Sequence, residues 1–395
     1  MRDADAVIVG AGAAGLSLAH RLCEPADGGR PPRVVLVDAP PGPHTAPERT
    51  WCFWEAPGGA YDEALTASWE RLRVHAPGGA VTAGRPEPFR YKMLRSGDFA
   101  ALVDARLARQ DTVRRAEATV ESVRDVPGGA EVRGHDATGR PVVLRARWVF
   151  DSRPGPLPPA RTTLQQHFRG WFVRTRRPAF DPSTADLMDF RTPQPGHGLS
   201  FGYVLPVSDC AALVEYTEFS RRPLETAGYE RALRHYTDRV LRLGAFRVTA
   251  AEQGVIPMTD GRFPRRAGRA VFRIGTAGGA TRPSTGYTFA SVQRQSALIA
   301  AALRAGRPPV PPPPHSARHR AMDAVLLRAL DSGRVDGAEF FTGLFRTVPM
   351  ERLLRFLDGR SRLWEDLGIG LRTPVLPMLR TVAELPLLPR RATAP

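Results

Sequence analysis

The sequence predicts an α/β protein: a doubly wound, Rossmann-like nucleotide-binding domain, a β-rich second domain and a C-terminal helical region. Three observations predict it. An apolar run at 5–9 leads directly into Gly10-Ala11-Gly12-Ala13-Ala14-Gly15, a helical stretch over 14–22 and a second apolar run over 33–38. That is the βαβ order which opens a parallel sheet. From about 161 to 250 apolar residues alternate instead, as in long strands with two different faces. Beyond the proline-rich segment 307–314, residues 316–388 read as several short helices.

Each element has a local reason. Gly10 allows a tight turn after the first strand, Gly12 allows a phosphate to approach the backbone, and Gly15 allows helix and strand to pack closely, with Ala14 between them. The unpaired N–H groups at the helix start favour an anion. Asp38 ends the second strand, 23 residues after Gly15, where a carboxylate accepts from ribose hydroxyls. Residues 39–60 read as loop, rich in Pro and Gly but holding Trp51, Phe53 and Trp54. A helix is expected over 96–109, then strands near 113–125, 130–134 and 141–150. In the second domain Leu199, Phe201, Tyr203 and Leu205 share one strand face, and Leu213, Glu215, Thr217 and Phe219 share one face of the next. A helix over 226–243, a buried strand over 270–276 and a helix from about 285 to 304 follow. The domains are then 1–60, 95–160 and 250–306 for nucleotide binding, 61–94 and 161–249 for substrate, 307–314 as a stiff polyproline linker and 315–390 as the helical region.

Composition narrows the function. The 395 residues carry 56 Lys+Arg against 40 Asp+Glu, a formal +16, and Lys92 is the only lysine. That surface suits anionic lipid head groups better than nucleic acid, because no zinc-finger spacing, RNP-like box or basic heptad run accompanies it. Cys23, Cys52 and Cys210 lie far apart with no C-x-x-C, and the histidines form no H-E-x-x-H, so neither disulfides nor a metal centre is expected. No run of about 18 apolar residues offers a membrane span. A cytoplasmic protein attached peripherally to membrane is the expectation. Gly198-Leu199-Ser200-Phe201-Gly202 matches G-x-S-x-G but sits inside a strand, whereas a nucleophile elbow needs strand–turn–helix.

A second glycine-rich stretch, Gly275-Thr276-Ala277-Gly278-Gly279-Ala280, runs on to Thr285-Gly286-Tyr287 between a strand and a helix. A simple NAD domain has no need of it. Flavoproteins of the aromatic-hydroxylase and geranylgeranyl-reductase type carry one there, usually with Gly-Asp where this chain has Gly275-Thr276. Gly275, Gly278, Gly279, Thr285 and Gly286 are thus candidate flavin contacts, and a helix start near Thr285 would point its positive end at reduced flavin. FAD is the expected cofactor. With no second nicotinamide domain, NAD(P)H is expected as an external reductant.

These residues, with Arg49-Thr50-Trp51-Cys52-Phe53, Leu164-Gln165-Gln166-His167-Phe168-Arg169-Gly170-Trp171, Met188-Asp189-Phe190-Arg191-Thr192, Phe201-Gly202-Tyr203-Val204-Leu205-Pro206, Val214-Glu215-Tyr216-Thr217-Glu218-Phe219, Arg282-Pro283-Ser284-Thr285-Gly286-Tyr287 and the late 340–358 stretch, resemble bacterial lycopene β-cyclase over essentially the whole chain. The resemblance implies a non-redox ring closure of lycopene that requires reduced FAD. It also implies a membrane-dissolved polyene as substrate, and places the essential glutamate at Glu215. Elementary chemistry agrees: an alkene is a poor base, so its acid must be strong, aimed and dry. Strand alternation puts Glu218 on the opposite face, with a structural part. Trp51, Trp171, Tyr203 and Phe201 are candidate substrate-pocket residues, able to face a carbocation with π-clouds. A flavin monooxygenase, an isoprenoid reductase, a cyclase of another linear terpenoid and a carotenoid carrier remain open at this stage.

Overall fold

The computed structural model describes residues 2–24, 31–42 and 47–392. β1 (Ala4–Val9), α1 (Ala13–Cys23) and β2 (Val34–Asp38) form a βαβ unit with parallel strands. Residues 39–60 are not all loop, because Thr50–Glu55 forms β3. Then come β4 (Leu65–Trp69), β5 (Arg71–His75), β6 (Val81–Gly84) and β7 (Arg90–Arg95). β3 was hidden locally because its ladder partner, β7, lies beyond residue 89. α2 (Ser96–Leu107) leads to β8 (Val113–Glu117), β9 (Thr119–Val126), β10 (Gly129–His135) and β11 (Pro141–Asp151).

Long strands follow as expected: β12 (Thr163–Thr175), β13 (Thr184–Asp189), β14 (Leu199–Ser208) and β15 (Ala211–Ser220). α3 (Thr226–His235) ends well before residue 243 and passes into a π-helical turn, Tyr236–Val240, in which Leu241 N–H reaches Tyr236 O at 2.9 Å. The buried Tyr236 hydroxyl, donating to Asp189 at 2.8 Å, ties this turn to the sheet. β16 (Phe246–Thr259) precedes β17 (Val271–Arg273), which is shorter than the strand expected over 270–276. α4 (Phe289–Arg304) starts later than residue 285, because Gly286 has φ +72°, outside the right-handed helix. The segment 307–314 is pinned to the body, with Arg265 donating to Pro311 O at 2.5 Å and Gln295 to Pro312 O at 3.4 Å. Five helices close the chain, α5 (Ala317–Asp331), α6 (Gly337–Thr347), α7 (Met350–Leu357), α8 (Leu363–Gly370) and α9 (Val375–Glu384).

Three sheets result. The first runs β8-β2-β1-β11 in parallel, takes β17 alongside β11, and continues through the antiparallel meander β10-β9. α1, α2 and α4 cover one side of it with an apolar core that includes Leu18, Phe99 and Phe289. The second sheet runs β16-β12-β15-β14-β13-β5-β6, and the third β3-β7-β4. One face of the second sheet, the third sheet and the C-terminal helices share the largest core, including Trp54, Tyr91, Phe201 and Phe341. α3 covers the other face of the second sheet.

Two ladders run across expected domain limits. β16 pairs with β12 along its length, so a boundary at 249/250 cuts a strand of the second sheet. β3 pairs with β7, so a boundary at 60/61 separates hydrogen-bonded neighbours.

Candidate active site

The glycine loop joins β1 to α1. Gly10, at φ +94°, sends its N–H to Val37 O at 2.8 Å, while the Ser152 hydroxyl donates to Val9 O at 2.7 Å. A methyl group on Gly15 would collide with the Gly10 carbonyl oxygen, whereas one on Gly12 would meet nothing within 4 Å. Gly15 therefore serves packing, and Gly12 leaves exposed backbone for a ligand. Asp38 is exposed at the end of β2, and its Oδ1 accepts from Ala11 N–H at 3.2 Å.

The second glycine stretch comes to the same place from β17. Gly275, at φ +62°, leaves a Cβ position only 2.8 Å from Ala14 Cβ, so the two loops touch. Gly278 lies tightly under Arg273 O, and Gly279, at φ +78°, backs onto Phe263. Thr276, where aromatic-hydroxylase and geranylgeranyl-reductase flavoproteins usually carry an acid, is exposed. At Gly286 a side chain would run into Gln166 Oε1. Gln166 Oε1 and Thr285 Oγ1 are buried without a protein partner. Unpaired buried acceptors of this kind fit a polar ligand between the loops.

The second sheet supplies the acid. Glu215 on β15 stands opposite Gly170 on β12, and Gly170 stands opposite Glu252 on β16. On its other side Glu215 stands opposite Tyr203 of β14. Two carboxyl groups thus flank a residue with no side chain, in one cross-strand row. A Cβ on Gly170 would lie 3.5 Å from Glu215 Cβ, 3.4 Å from Glu252 Cγ and 2.7 Å from Leu213 Cδ1. Thr217 donates to Glu215 at 2.7 Å, and Thr50 of β3 donates to Glu252 at 2.7 Å.

Burial, then the negative charge of Glu252, pushes the Glu215 carboxyl up to about 8. Burial also raises Glu252, offset by its bond from Thr50 and by Arg95. Cys52, Tyr203 and Tyr287 lie near Glu215, and Tyr91 and Trp54 pack against Tyr287. The Tyr91 and Tyr287 hydroxyls are 3.2 Å apart, and Trp54 packs edge-on to Tyr287 with centroids at 4.6 Å. Burial holds all three tyrosines in the neutral form. Tyr287 directly follows Gly286, so the glycine loop and the carboxyl pair adjoin. The arrangement offers a protonated acid in an aromatic, water-poor setting at neutral pH.

The expected pocket residues divide. Tyr203 and the buried Phe201 lie on the Glu215 face, with ring centroids 5.1 Å apart. Trp171 does not. It stands opposite Val214, on the other face, and packs under α3 near Phe246 at 6.4 Å. Trp51 also points away, stacking on Phe289 at 5.4 Å, while its neighbours Cys52 and Trp54 take the inward positions. Glu218 lies on the α3 face, where Tyr216 donates to it at 3.1 Å and His167 stands 3.8 Å away. Ser200 of the G-x-S-x-G string is buried inside β14 and donates to Pro193 O at 2.7 Å. Sequence reasoning missed Glu252, Gln166, Trp54 and the spacing role of Gly170. Only strand alternation within 50–55 could have exchanged Trp51 for Trp54.

No curated protein matches the chain at a significant level. Solved structures share its fold. A geranylgeranyl bacteriochlorophyll reductase-like protein from Thermoplasma acidophilum is similar at TM-score 0.62 and 12% identity, over 97% of this chain and 99% of that one. A flavoprotein/dehydrogenase from Cytophaga hutchinsonii is similar at 0.64 and 13%, over 96% and 98%. A p-nitrophenol 4-monooxygenase from Pseudomonas putida DLL-E4 is similar at 0.60 and 15%, over 98% of each chain. The family model described as lycopene cyclase protein matches residues 5–383, nearly the whole chain, and the protein therefore belongs to the lycopene cyclase family.

Proposed function

We propose that this protein is an FAD-dependent lycopene β-cyclase, closing the acyclic ends of lycopene to β-rings without net redox change. The observation that carries the reading is Glu215, a buried carboxyl that lies beside aromatic rings and that burial and the charge of Glu252 push up to about 8. Its proton passes to C2 of the terminal C1=C2 bond and leaves a tertiary cation at C1. The C5=C6 alkene closes on C1, and loss of the C6 proton leaves the ring double bond. Tyr203, Trp54 and Tyr287 offer π-faces to the cation and, being buried, keep out water that would quench it.

Gly10, Gly12, Ala14, Gly15 and Asp38 would hold the dinucleotide end of FAD, and Gly275, Gly278, Gly279, Thr285 and Gly286 the flavin side. The open backbone at Gly12 and the unpartnered Thr285 and Gln166 oxygens support that fit. Bound reduced flavin supplies negative charge that stabilises a carbocation in low dielectric. NAD(P)H would reduce it from outside. For a substrate dissolved in lipid, α8 and α9 offer a docking ridge. Leu367, Leu371, Leu376 and Leu387 are each more than 60% exposed, beside the exposed Arg362, Arg372 and Arg380. None of the described helices is long and apolar enough to cross a membrane.

Pre-reduced protein kept anaerobic with lycopene in liposomes tests this reading. Many rings should form per flavin with no further reductant consumed. One reducing equivalent used per product would show a reductase or monooxygenase instead. Gly12→Val, whose Cβ meets nothing within 4 Å, should stay folded and lose FAD.

A further inference from the structure

Ring closure moves two protons: one is added at C2 and one is removed at C6. Glu215 accounts for the first, and after each ring it needs a proton back. We propose that Glu252 is the base of the same reaction, taking the C6 proton and returning it to Glu215 across the gap left by Gly170. This rests on the cyclase reading and deepens it.

Four features carry the inference. The two glutamates stand in one cross-strand row, separated only by a glycine. Strand alternation turns Glu252 inward, because its neighbours Ala251 and Gln253 are exposed while it is half-buried. Its Oε2 accepts from the Thr50 hydroxyl at 2.7 Å, which fixes the carboxylate in place. The two sites also differ in their charged surroundings. Glu215 feels burial and the charge of Glu252, with Thr217 as its hydrogen-bond donor. Glu252 is also raised by burial, but there the Thr50 hydrogen bond and the charges of Arg95 and Arg49 pull the other way, against Glu48, and it is the less buried of the two. Two carboxyls whose surroundings separate them in this way are suited to divide acid and base work.

The cycle balances. The Glu215 O–H bond breaks as the C2–H bond forms, and the C1–C6 bond forms with the cation now at C5. The C6–H bond breaks towards Glu252, its electron pair making C5=C6. The proton then passes from Glu252 to Glu215, and both carboxyls are as they began. No oxidant, reductant or outside proton is consumed. Gly170 keeps the gap open: a methyl group there would wedge between the two side chains.

The test is Glu252→Gln, assayed with lycopene in liposomes for rate and for the position of the new double bond. A missing base at C6 slows closure about tenfold or more. It also lets the C5 cation lose its proton elsewhere, from C4 or from the methyl on C5, so isomeric rings appear beside the β-ring. Glu252→Asp should recover part of the rate and the β-ring product. Thr50→Val, which frees the carboxylate without removing it, should give a smaller loss in the same direction. A structural part for Glu252 would change stability or rate but not ring isomer. Wild-type rate with pure β-ring product from Glu252→Gln overturns the assignment while leaving the cyclase reading intact. Failure of the wild-type protein to close any ring removes both.

Discussion

The two faces of the second sheet carry nearly the same residue types and end in different chemistry. On the inner face of β15, Glu215 has a hydroxyl donor in Thr217, a carboxyl two strands away and tyrosines above it. On the outer face, three residues on, Glu218 has a phenol donor in Tyr216 and the neutral His167 nearby, all roofed by α3. Burial raises both carboxyls. What separates them is the neighbourhood. The inner face adjoins the glycine loop through Tyr287 and Gln166, whereas the outer face ends in a packed helix. An acid needs a substrate as well as a raised pKa.

Substitution on each face measures that difference, and the largest effect is expected at Glu215. Glu215→Gln keeps size and a hydrogen bond to Thr217 but has no proton to give, so turnover should fall a hundredfold or more while FAD content stays normal. Glu215→Asp, one methylene shorter, should also be poor. Glu218→Gln should keep turnover within about threefold, since the change stays under α3. Equal losses from the two substitutions, measured as rings per minute at saturating lycopene, would remove the distinction between the faces.

The same comparison shows what the sequence made legible. The glycine loop was readable because each glycine answers a local demand within a single turn. Glu215 was readable because alternation along one strand assigns faces. Glu252 was not, because its part exists only across β12, and pairing between strands that are distant in sequence leaves no local mark. Trp171 was misplaced for the same reason, since its face depends on register with Val214. Trp51 was preferred to Trp54 because a segment read as loop has no alternation to separate neighbours. The later start of α4 turned on a single backbone angle at Gly286.

The smallest expected effect is thermodynamic, and it separates the raised acid from an ordinary buried one. A glutamate ordinarily titrates near 4.5, and Glu215 is held near 8 in the folded chain. Between those values the folded state keeps a proton that the unfolded state has released. Stability from this group is therefore whole below about pH 4.5, declines as pH rises to about 8, and is flat above. Glutamine cannot titrate, so Glu215→Gln removes that decline. The melting temperature of the variant minus that of the wild type should rise steadily from pH 5 to 8, by roughly 2 °C or more in all. Differencing the two proteins at each pH cancels the other titrating groups, apart from Glu252. Glu252, also raised by burial, is the group to follow in parallel, and Glu252→Gln in both backgrounds removes its contribution. A difference that does not change between pH 5 and 8 would mean that Glu215 is already ionised in the folded protein. The proton for ring closure would then have to come from another group.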